Sequence, residues 1–599
     1  MSECIVSKLN VDKKTIKSLF QETSYDFLIP DYQRPYAWTE TECLTLWDDL
    51  KSFCFPEDDA QLFNASTDSY FLGPIVTFKN SDNKLEVIDG QQRLTTIMLL
   101  LRAFYEKYGK MKDTASQKIK ENIERCIWKT DELDAIKKDE LKIVTLVATD
   151  EDKEEFVKIL NEGIVGSDSN SKYAINYKFF KGQIDQFLTE YPVYAALFPN
   201  RIMSNCILLP IEAEDQDTAL RIFSTLNDRG LPLADSDIFK AKLYKHFSKN
   251  GNKDDFISRW KELEEICSKC FKNTTGSPMD ELFSRYMYYE RALKGIKLST
   301  TESLRKFYEN NKLLEAKPEE ILDNLELLAT FWNNVSSQNS TIFTSDVLKK
   351  LFVLNYGPNN MWANILSVYY MQNKNAEGKL DNEKLLTFLS KIIAFTFAYA
   401  ITYPGVNALR TPVYAEMVNI VNGKDVEFSD YKFSKEFLTN QLNTFPFYNG
   451  RPITKSILTW WAYQNPDQKL YPLDSSLDIE HIYAKKRYEL TKGLSKEDYL
   501  EVLGNKSLLE KRINIRASDY KFSDKCKYYT GQVLNKKGEQ SKPTEIEDLL
   551  SLVTKYDESE FNEADIIERN KEIINKFISY VEENNLIKVN SEQSTANNQ

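Results

Sequence analysis

The chain has 599 residues, enough for two or three domains with cores of their own. An apolar share of 42% with 13% aromatics excludes a disordered or fibrous chain, and a net charge of −12 excludes a protein coated in nucleic-acid-binding surface. Of the eight cysteines only Cys267 and Cys270 form a CxxC, with no further Cys or His nearby, so two exposed or half-buried thiols on one helix are expected rather than a zinc site. Cys4, Ile5 and Val6 run at once into Lys8, Asp12, Lys13 and Lys14, which is no signal peptide. The longest apolar run, Ile392 to Tyr403, is about twelve residues and short for a bilayer span, so a cytoplasmic protein without a membrane partner is expected.

The first landmark is FLIPDYQRPYAWTE, residues 27–40. Pro30 and Pro35 bar a regular helix, which predicts a strand entering a rigid turn. That turn presents Gln33, Arg34, Tyr36 and Trp38. A helix is predicted from about Thr39, capped by Thr39 or Thr41, with Leu44, Leu46, Trp47 and Leu50 inward. YFLGPIVTF, residues 70–78, reads as a strand, as does Leu85-Val87-Ile88, which ends at Asp89-Gly90; Thr95 to Tyr108 reads as an apolar helix. The strand–DGQQR–helix junction aims Gln91, Gln92 and Arg93 at a helix N-terminus, a natural anion site. Gly90 lets the backbone approach a phosphate closely, and Asp89 is placed to hold a metal or activate water. The bland alternative is a buried Gln/Arg network that braces strand to helix. No GxxxxGK[ST] loop occurs here.

Residues 110–200, with charge blocks such as KKDELK, are predicted to be polar, all-α elaboration. In ALRIFSTLNDRGLPLADSDIFKAKLY, from Ala219 to Tyr244, a helix, an Asn-Asp-Arg-Gly turn and a second helix capped at Asp235 or Ser236 are expected. From about Phe256 to Leu442 the pattern is amphipathic helices whose aromatic stripes serve as core. Arg451 to Tyr463 reads as a helix packed under the strands that follow.

Near the end comes LDIEHIYAKKRYEL, then a polar insert, then LGNKSLLEKRINIRASDYKFSDKCKYY. Alternation of Leu477, Ile479 and His481 with Asp478 and Glu480 predicts a short strand that delivers carboxylate and imidazole at its end. Asn505 lies in a second apolar run and Asn514 near the start of a polar helix, which together make the frame of a ββα-metal nuclease site. Cutting a phosphodiester takes a base to deprotonate water and a divalent ion to neutralise charge. His481 is the candidate base, because imidazole titrates close to neutral pH. Glu480 and Asn514 are candidate Mg²⁺ or Mn²⁺ ligands, with Asp478 as a rival, and Asn505 either holds the imidazole or ties the two strands together. Residues 481–537 carry 14 Lys and Arg against 7 Asp and Glu, a basic island where a phosphate backbone would dock. One or two helices are expected after Glu547, and a disordered polar tail from Val589.

The (D/E)xEHI, GNxxLL and Asn-then-FxxK landmarks, the last matched by Phe522 and Lys525, resemble the HNH domain that ends GmrSD-type, modification-dependent (type IV) restriction endonucleases. The resemblance adds Lys525 to the catalytic set. Many relatives have Pro three residues after the His, where this chain has Ala484. IPDYQRPYAW and IDGQQRLTT are similar to the N-terminal domain of the same family, whose fold is ParB-like and which binds and hydrolyses nucleoside triphosphates. That implies a triphosphate (GTP, ATP, CTP or UTP) with Mg²⁺, contacted by Asp89, Gly90, Gln91, Gln92 and Arg93 with Gln33 and Arg34 beside them. IFSTLNDRGLPL matches a further family segment that would return Asn227 and Arg229 to the nucleotide.

The resulting expectation is an α+β, mostly α chain: a ParB-like domain over 1–250, a helical linking region over 251–442, an HNH domain over 443–590 and a tail over 591–599. Its function would be nucleotide-regulated, metal-dependent cleavage of double-stranded, modified phage DNA, with a homodimer as a reasonable way to cut both strands. Two alternatives stand beside it: a phosphorothioate-sensing nickase of the same architecture, and a non-catalytic ParB-like DNA-binding regulator.

Overall fold

The computed structural model describes residues 10–588 apart from 24, 148–149, 167–168, 227–233, 273, 275, 404, 406–407, 535–537, 539 and 557–559. These residues form two compact units, one ending at Lys261 and the other starting at Glu262. Helices predominate and the larger sheet lies in the first unit, so the fold is α+β and mostly α.

The strands of the first unit are β1 (Asn10–Val11), β2 (Lys14–Thr15), β3 (Phe27–Ile29), β4 (Tyr70–Lys79), β5 (Leu85–Asp89), β6 (Trp128–Thr130), β7 (Ile136–Leu141), β8 (Ile143–Thr145) and β9 (Cys206–Ala213). Seven of them make a mixed sheet in the order β1-β9-β4-β5-β3-β8, with β2 also on β9. β5 lies inside it, antiparallel to β4 and parallel to β3. Its end therefore points one helix N-terminus out of the sheet. Gly90 makes that turn in the left-handed region (φ 93°), where a Cβ would also come within 3.3 Å of the Pro74 carbonyl. The helix Gln91–Tyr108 starts at once, four residues before the predicted Thr95, because the Leu94 N–H already reaches the Gly90 carbonyl at 2.9 Å. Its apolar body, including Leu94, Ile97, Met98 and Leu101, is buried against the helices Thr114–Ile127 and Lys172–Glu190.

The helix Glu40–Cys54 begins as its sequence predicts. Thr39 caps it and Glu42 returns to the Thr39 N–H at 2.6 Å in a capping box. The prediction of an all-α stretch over 110–200 needs correction, since β6 and β7 form a separate antiparallel ribbon there and β8 joins the main sheet. KKDEL is strand β7. A turn held by Asp131, whose Oδ1 accepts from the Leu133 and Ala135 N–H groups, sets the ribbon, and Lys138 lies over the Trp128 and Tyr105 rings. Only Lys137, Lys138 and Asp139 in the middle of β7 are exposed, while Trp128 and Leu141 at the ribbon's ends are buried, so the charged run hides the strand.

Among its described residues the second unit is helical apart from β10 (Leu477–His481) and β11 (Lys506–Glu510), an antiparallel pair with His481 opposite Lys506. The helix Pro452–Ala462 packs on β11, and the Lys455 ammonium donates to the Leu477 carbonyl. The helix Asn382–Thr402 contains the apolar run and is long and apolar enough to cross a membrane, but 72% of its apolar window is buried. It packs on the helices Ser345–Asn355, Lys435–Thr444 and Glu563–Glu583, which makes it a core helix of this unit. Cys267 and Cys270 share the helix Lys253–Cys270 as expected, but Cys267 is fully buried rather than exposed.

Candidate functional site

β10, β11 and the helices Lys511–Ala517 and Phe522–Tyr529 come together in the second unit, with His481 at the end of β10. Alternation sends Glu480 and His481 to opposite faces. Glu480 is 3% exposed, and its Oε1 accepts from Lys525 Nζ at 2.5 Å and from the Tyr529 hydroxyl at 2.7 Å. Burial, then the neighbouring Glu480 carboxylate, pushes the Tyr529 phenol well up, so it remains a donor. Neither contact uses Oε2, which has no hydrogen-bond partner among the described residues.

Lys525, expected among the catalytic residues, is 1% exposed and also donates to the His481 carbonyl at 2.6 Å. It is a strut beneath the strand end rather than a group facing substrate. Breaking a buried pair by removing one partner costs about 3–5 kcal/mol. Lys525→Met is therefore expected to lower the melting temperature of this unit sharply, and a melt within about one degree of the unsubstituted chain would contradict that role.

Asn505 takes the second of its two expected roles. Its Oδ1 accepts from the Tyr483 N–H at 2.7 Å and its Nδ2 donates to the Tyr483 and Leu500 carbonyls, so it ties the chain after β10 to the start of β11. It does not hold the imidazole. Gly504 beside it has no room for a side chain, since a Cβ would lie 2.1 Å from the Ile566 carbonyl of the helix Glu563–Glu583. From that helix Arg569 donates to the carbonyls of Leu503, Gly504 and Lys506. The Gly-Asn pair is thus demanded by packing and by a loop that must be stapled on both sides.

Asp478 and Asn514 are half-buried, and the helix that carries Asn514 packs on both strands. Lys485, Lys486, Lys511 and Arg512 are exposed, whereas Lys506 and Lys525 from the same basic island are buried in ion pairs and offer nothing to a backbone phosphate. Among the described residues no group of three or more His, Cys, Asp and Glu converges as a metal site. Magnesium asks for less, often one or two carboxylates with the rest water. Glu480 offers one such oxygen: Oε1 is held by Lys525 and Tyr529, and Oε2 has no protein partner among the described residues.

Two residues of this site escape sequence reasoning. Glu501, at the end of the polar insert, brings Oε2 to 3.8 Å from His481 Nε2 and 2.6 Å from Lys506 Nζ. Burial raises the Glu501 carboxyl, but His481 and Lys506 outweigh it and bring it down to about 2, so Glu501 is ionised. Lys506 is 0% exposed and also donates to Asn449 Oδ1 at 2.5 Å. Nothing in the spacing of the insert marks Glu501, and Lys506 looks like one more solvated lysine.

In the first unit the DGQQR junction sits at the end of β5. The N–H groups at the start of the helix Gln91–Tyr108 have no side-chain cap. Gln91 is 7% exposed; its Nε2 donates to the Arg34 carbonyl at 3.3 Å while its Oε1 is buried and unpartnered. Arg93 lies under Gly73 and donates to the Pro74 carbonyl at 2.7 Å. Burial raises the Asp89 carboxyl, opposed by Arg93, the Gly90 amide and Arg34. Arg34 itself is exposed, with no hydrogen-bond partner for its guanidinium among the described residues. Gln92 and Gln33 need reassignment. Gln92 Oε1 accepts from the Ala37 N–H at 2.7 Å and its Nε2 donates to the Pro35 carbonyl at 3.1 Å, while Gln33 Nε2 is shared between the Val87 and Ile88 carbonyls. Both brace the rigid turn against the sheet and helix. Asn227 and Arg229 lie outside the described residues.

Family comparison agrees with this two-part layout. Residues 16–244 match the family model described as GmrSD restriction endonuclease, N-terminal domain, and residues 432–576 match GmrSD restriction endonucleases, C-terminal domain. Together they cover more than half of the chain, which belongs to the GmrSD restriction endonuclease family. Its activity is accordingly that of an endonuclease and its substrate is DNA. Comparison with the curated proteins finds no match.

Proposed function

We propose that the chain is a nucleotide-regulated, metal-dependent DNA endonuclease that restricts modified foreign DNA such as that of phages. The observation that carries the reading is the end of β10, where consecutive residues supply an imidazole that is 18% exposed and, on the opposite face, a carboxylate whose Oε1 is anchored and whose Oε2 is not. Glu480 is the residue that would hold a magnesium or manganese ion, with Asn514 completing the protein's share and Asp478 as the alternative. Such an ion, when bound, supplies positive charge against the phosphate and the leaving oxygen. His481 takes a proton from water as the water oxygen bonds to phosphorus and the P–O bond to the leaving oxygen breaks, that oxygen gaining its proton from solvent. Exposed Lys485, Lys486, Lys511 and Arg512 bind flanking phosphates without reading sequence.

In the first unit, the uncapped helix N-terminus, Arg34 and Arg93 bind the phosphates of a nucleoside triphosphate. Asp89 serves its Mg²⁺ or its attacking water, and hydrolysis gates cutting. Family resemblance supports the gating and the preference for modified DNA.

The test is cleavage of a supercoiled plasmid carrying modified bases across a magnesium titration. Glu480→Gln is expected to raise the magnesium needed for half-maximal cutting by about 10- to 100-fold, the usual consequence of losing one ligand or its support. An unchanged magnesium requirement in Glu480→Gln, with a changed one in Asp478→Asn, would move the ligand to Asp478.

A further inference from the structure

The nuclease strand end holds a charge network that the ligand and base assignments do not use. Lys506, opposite His481 in the strand pair, is wholly buried with its ammonium on Glu501 and Asn449. The Glu501 oxygen that takes Lys506 at 2.6 Å is also 3.8 Å from His481 Nε2, within ion-pair range but beyond a hydrogen bond. Nε2 is buried with no hydrogen-bond partner, and it is the only nitrogen of this ring in that condition, so Nδ1 is the one left with solvent access.

A buried N–H without an acceptor is costly, and a bare buried nitrogen beside a carboxylate is repelled by it. Of the polar groups around Nε2, the Lys506 ammonium can only donate, which leaves Glu501 as the acceptor. A shift of about 1 Å brings the pair to hydrogen-bond length. The proton of the neutral ring then belongs on Nε2, and the free lone pair belongs on Nδ1, facing solvent. This inference rests on His481 being the general base.

We infer that Glu501, held by Lys506, is the positioning residue of His481: it fixes the Nε2–H tautomer and thereby makes Nδ1 the nitrogen that takes the proton from water. Glu501 touches neither substrate nor metal. It acts through the orientation and tautomer of the ring, in the way that a buried carboxylate orients the histidine of a Ser-His-Asp triad.

The experiment is ¹⁵N NMR of the full chain with selectively labelled histidine, the pH being raised until the ring signals stop changing. Only two histidines are present, and His246→Gln removes the other set of signals. The expected pattern for His481 is a protonated Nε2 and a bare Nδ1. Glu501→Leu combined with Lys506→Met removes the acceptor and the buried charge together, avoiding an unpaired lysine in the core. In that double variant the two tautomers are expected to mix, and kcat for DNA cleavage to fall at least about tenfold with KM unchanged. Glu501→Gln, which keeps an oxygen toward Lys506, is expected to recover the Nε2–H pattern and most of kcat.

A protonated Nδ1 in the unsubstituted chain would overturn the inference, as would a double variant with unaltered tautomer and kcat. Should the double variant not melt cooperatively, the tautomer of the unsubstituted chain decides alone. Cleavage that survives in His481→Ala would instead sink the base assignment. A dead His481→Ala beside a fully active double variant would sink only the role of Glu501.

Discussion

Replacing His481 with alanine is expected to lower the DNA cleavage rate by about 10²–10⁴-fold, the span lost when a general base is removed. The fold should survive. The side chain is 18% exposed, and its Nε2 lacks a hydrogen-bond partner, so truncation removes no hydrogen bond that holds the structure. The strand end is secured by other groups: Lys525 on the His481 carbonyl, and Asn505 on both backbone groups of Tyr483. The proposed nucleotide hydrolysis is assigned to residues of the first unit and should continue at its normal rate. Gel analysis of plasmid cleavage, a thermal melt and a phosphate-release assay on the same preparation check the three parts. Cutting at more than a tenth of the normal rate would remove His481 from the role of base.

The second large effect belongs to the other unit. Arg93→Ala or Asp89→Asn is expected to reduce triphosphate hydrolysis by about 10²–10³-fold, the size of effect seen when one preorganised charge-stabilising group is lost. Arg93 is half-buried with its guanidinium against the Gly73–Pro74 backbone, where a positive charge is poorly screened. Removing it also leaves the Asp89 carboxylate without its principal opposing charge. Gln92→Ala should behave differently. Its amide is committed at both ends to the 35–37 backbone, so its loss should show first as a lower melting temperature. Hydrolysis that persists in both Arg93→Ala and Asp89→Asn would show that the uncapped helix end is not the nucleotide site.

Several parts of this architecture are readable from residue order alone, and the reasons are local. Period-two alternation of Leu477, Ile479 and His481 with Asp478 and Glu480 predicts β10, although burial does not follow it, since Glu480 is as buried as Leu477. Thr39 and Glu42 announce the helix start through a capping box that needs no tertiary partner. Asp89-Gly90 marks the strand–helix junction, because only a glycine turns there at φ 93° under the Pro74 carbonyl.

What escapes reading depends on distant partners. The KKDEL strand has no apolar alternation to betray it, because its middle is exposed and only Leu141 at its end is buried. Lys506 and Lys525 look identical to the exposed lysines around them, and only Glu501 and Glu480 brought across the fold turn them into buried struts. Gln92 reads like a ligand contact until the 35–37 turn is seen folded onto it. Amide and ammonium groups are ambiguous in a sequence, since the same chemistry serves ligand and scaffold.

The most direct test of the account is a cleavage assay of the intact chain with magnesium or manganese, with and without nucleoside triphosphates. The substrates are unmodified, glucosylated-hydroxymethylcytosine and phosphorothioate DNA, with His481→Ala as control. Cutting confined to one modified DNA, altered by triphosphate and lost in His481→Ala, is the result expected. Equal cutting of unmodified DNA would contradict restriction of modified DNA, and no cutting of any substrate while triphosphate is still hydrolysed would contradict the nuclease reading and favour a nucleotide-controlled DNA-binding regulator.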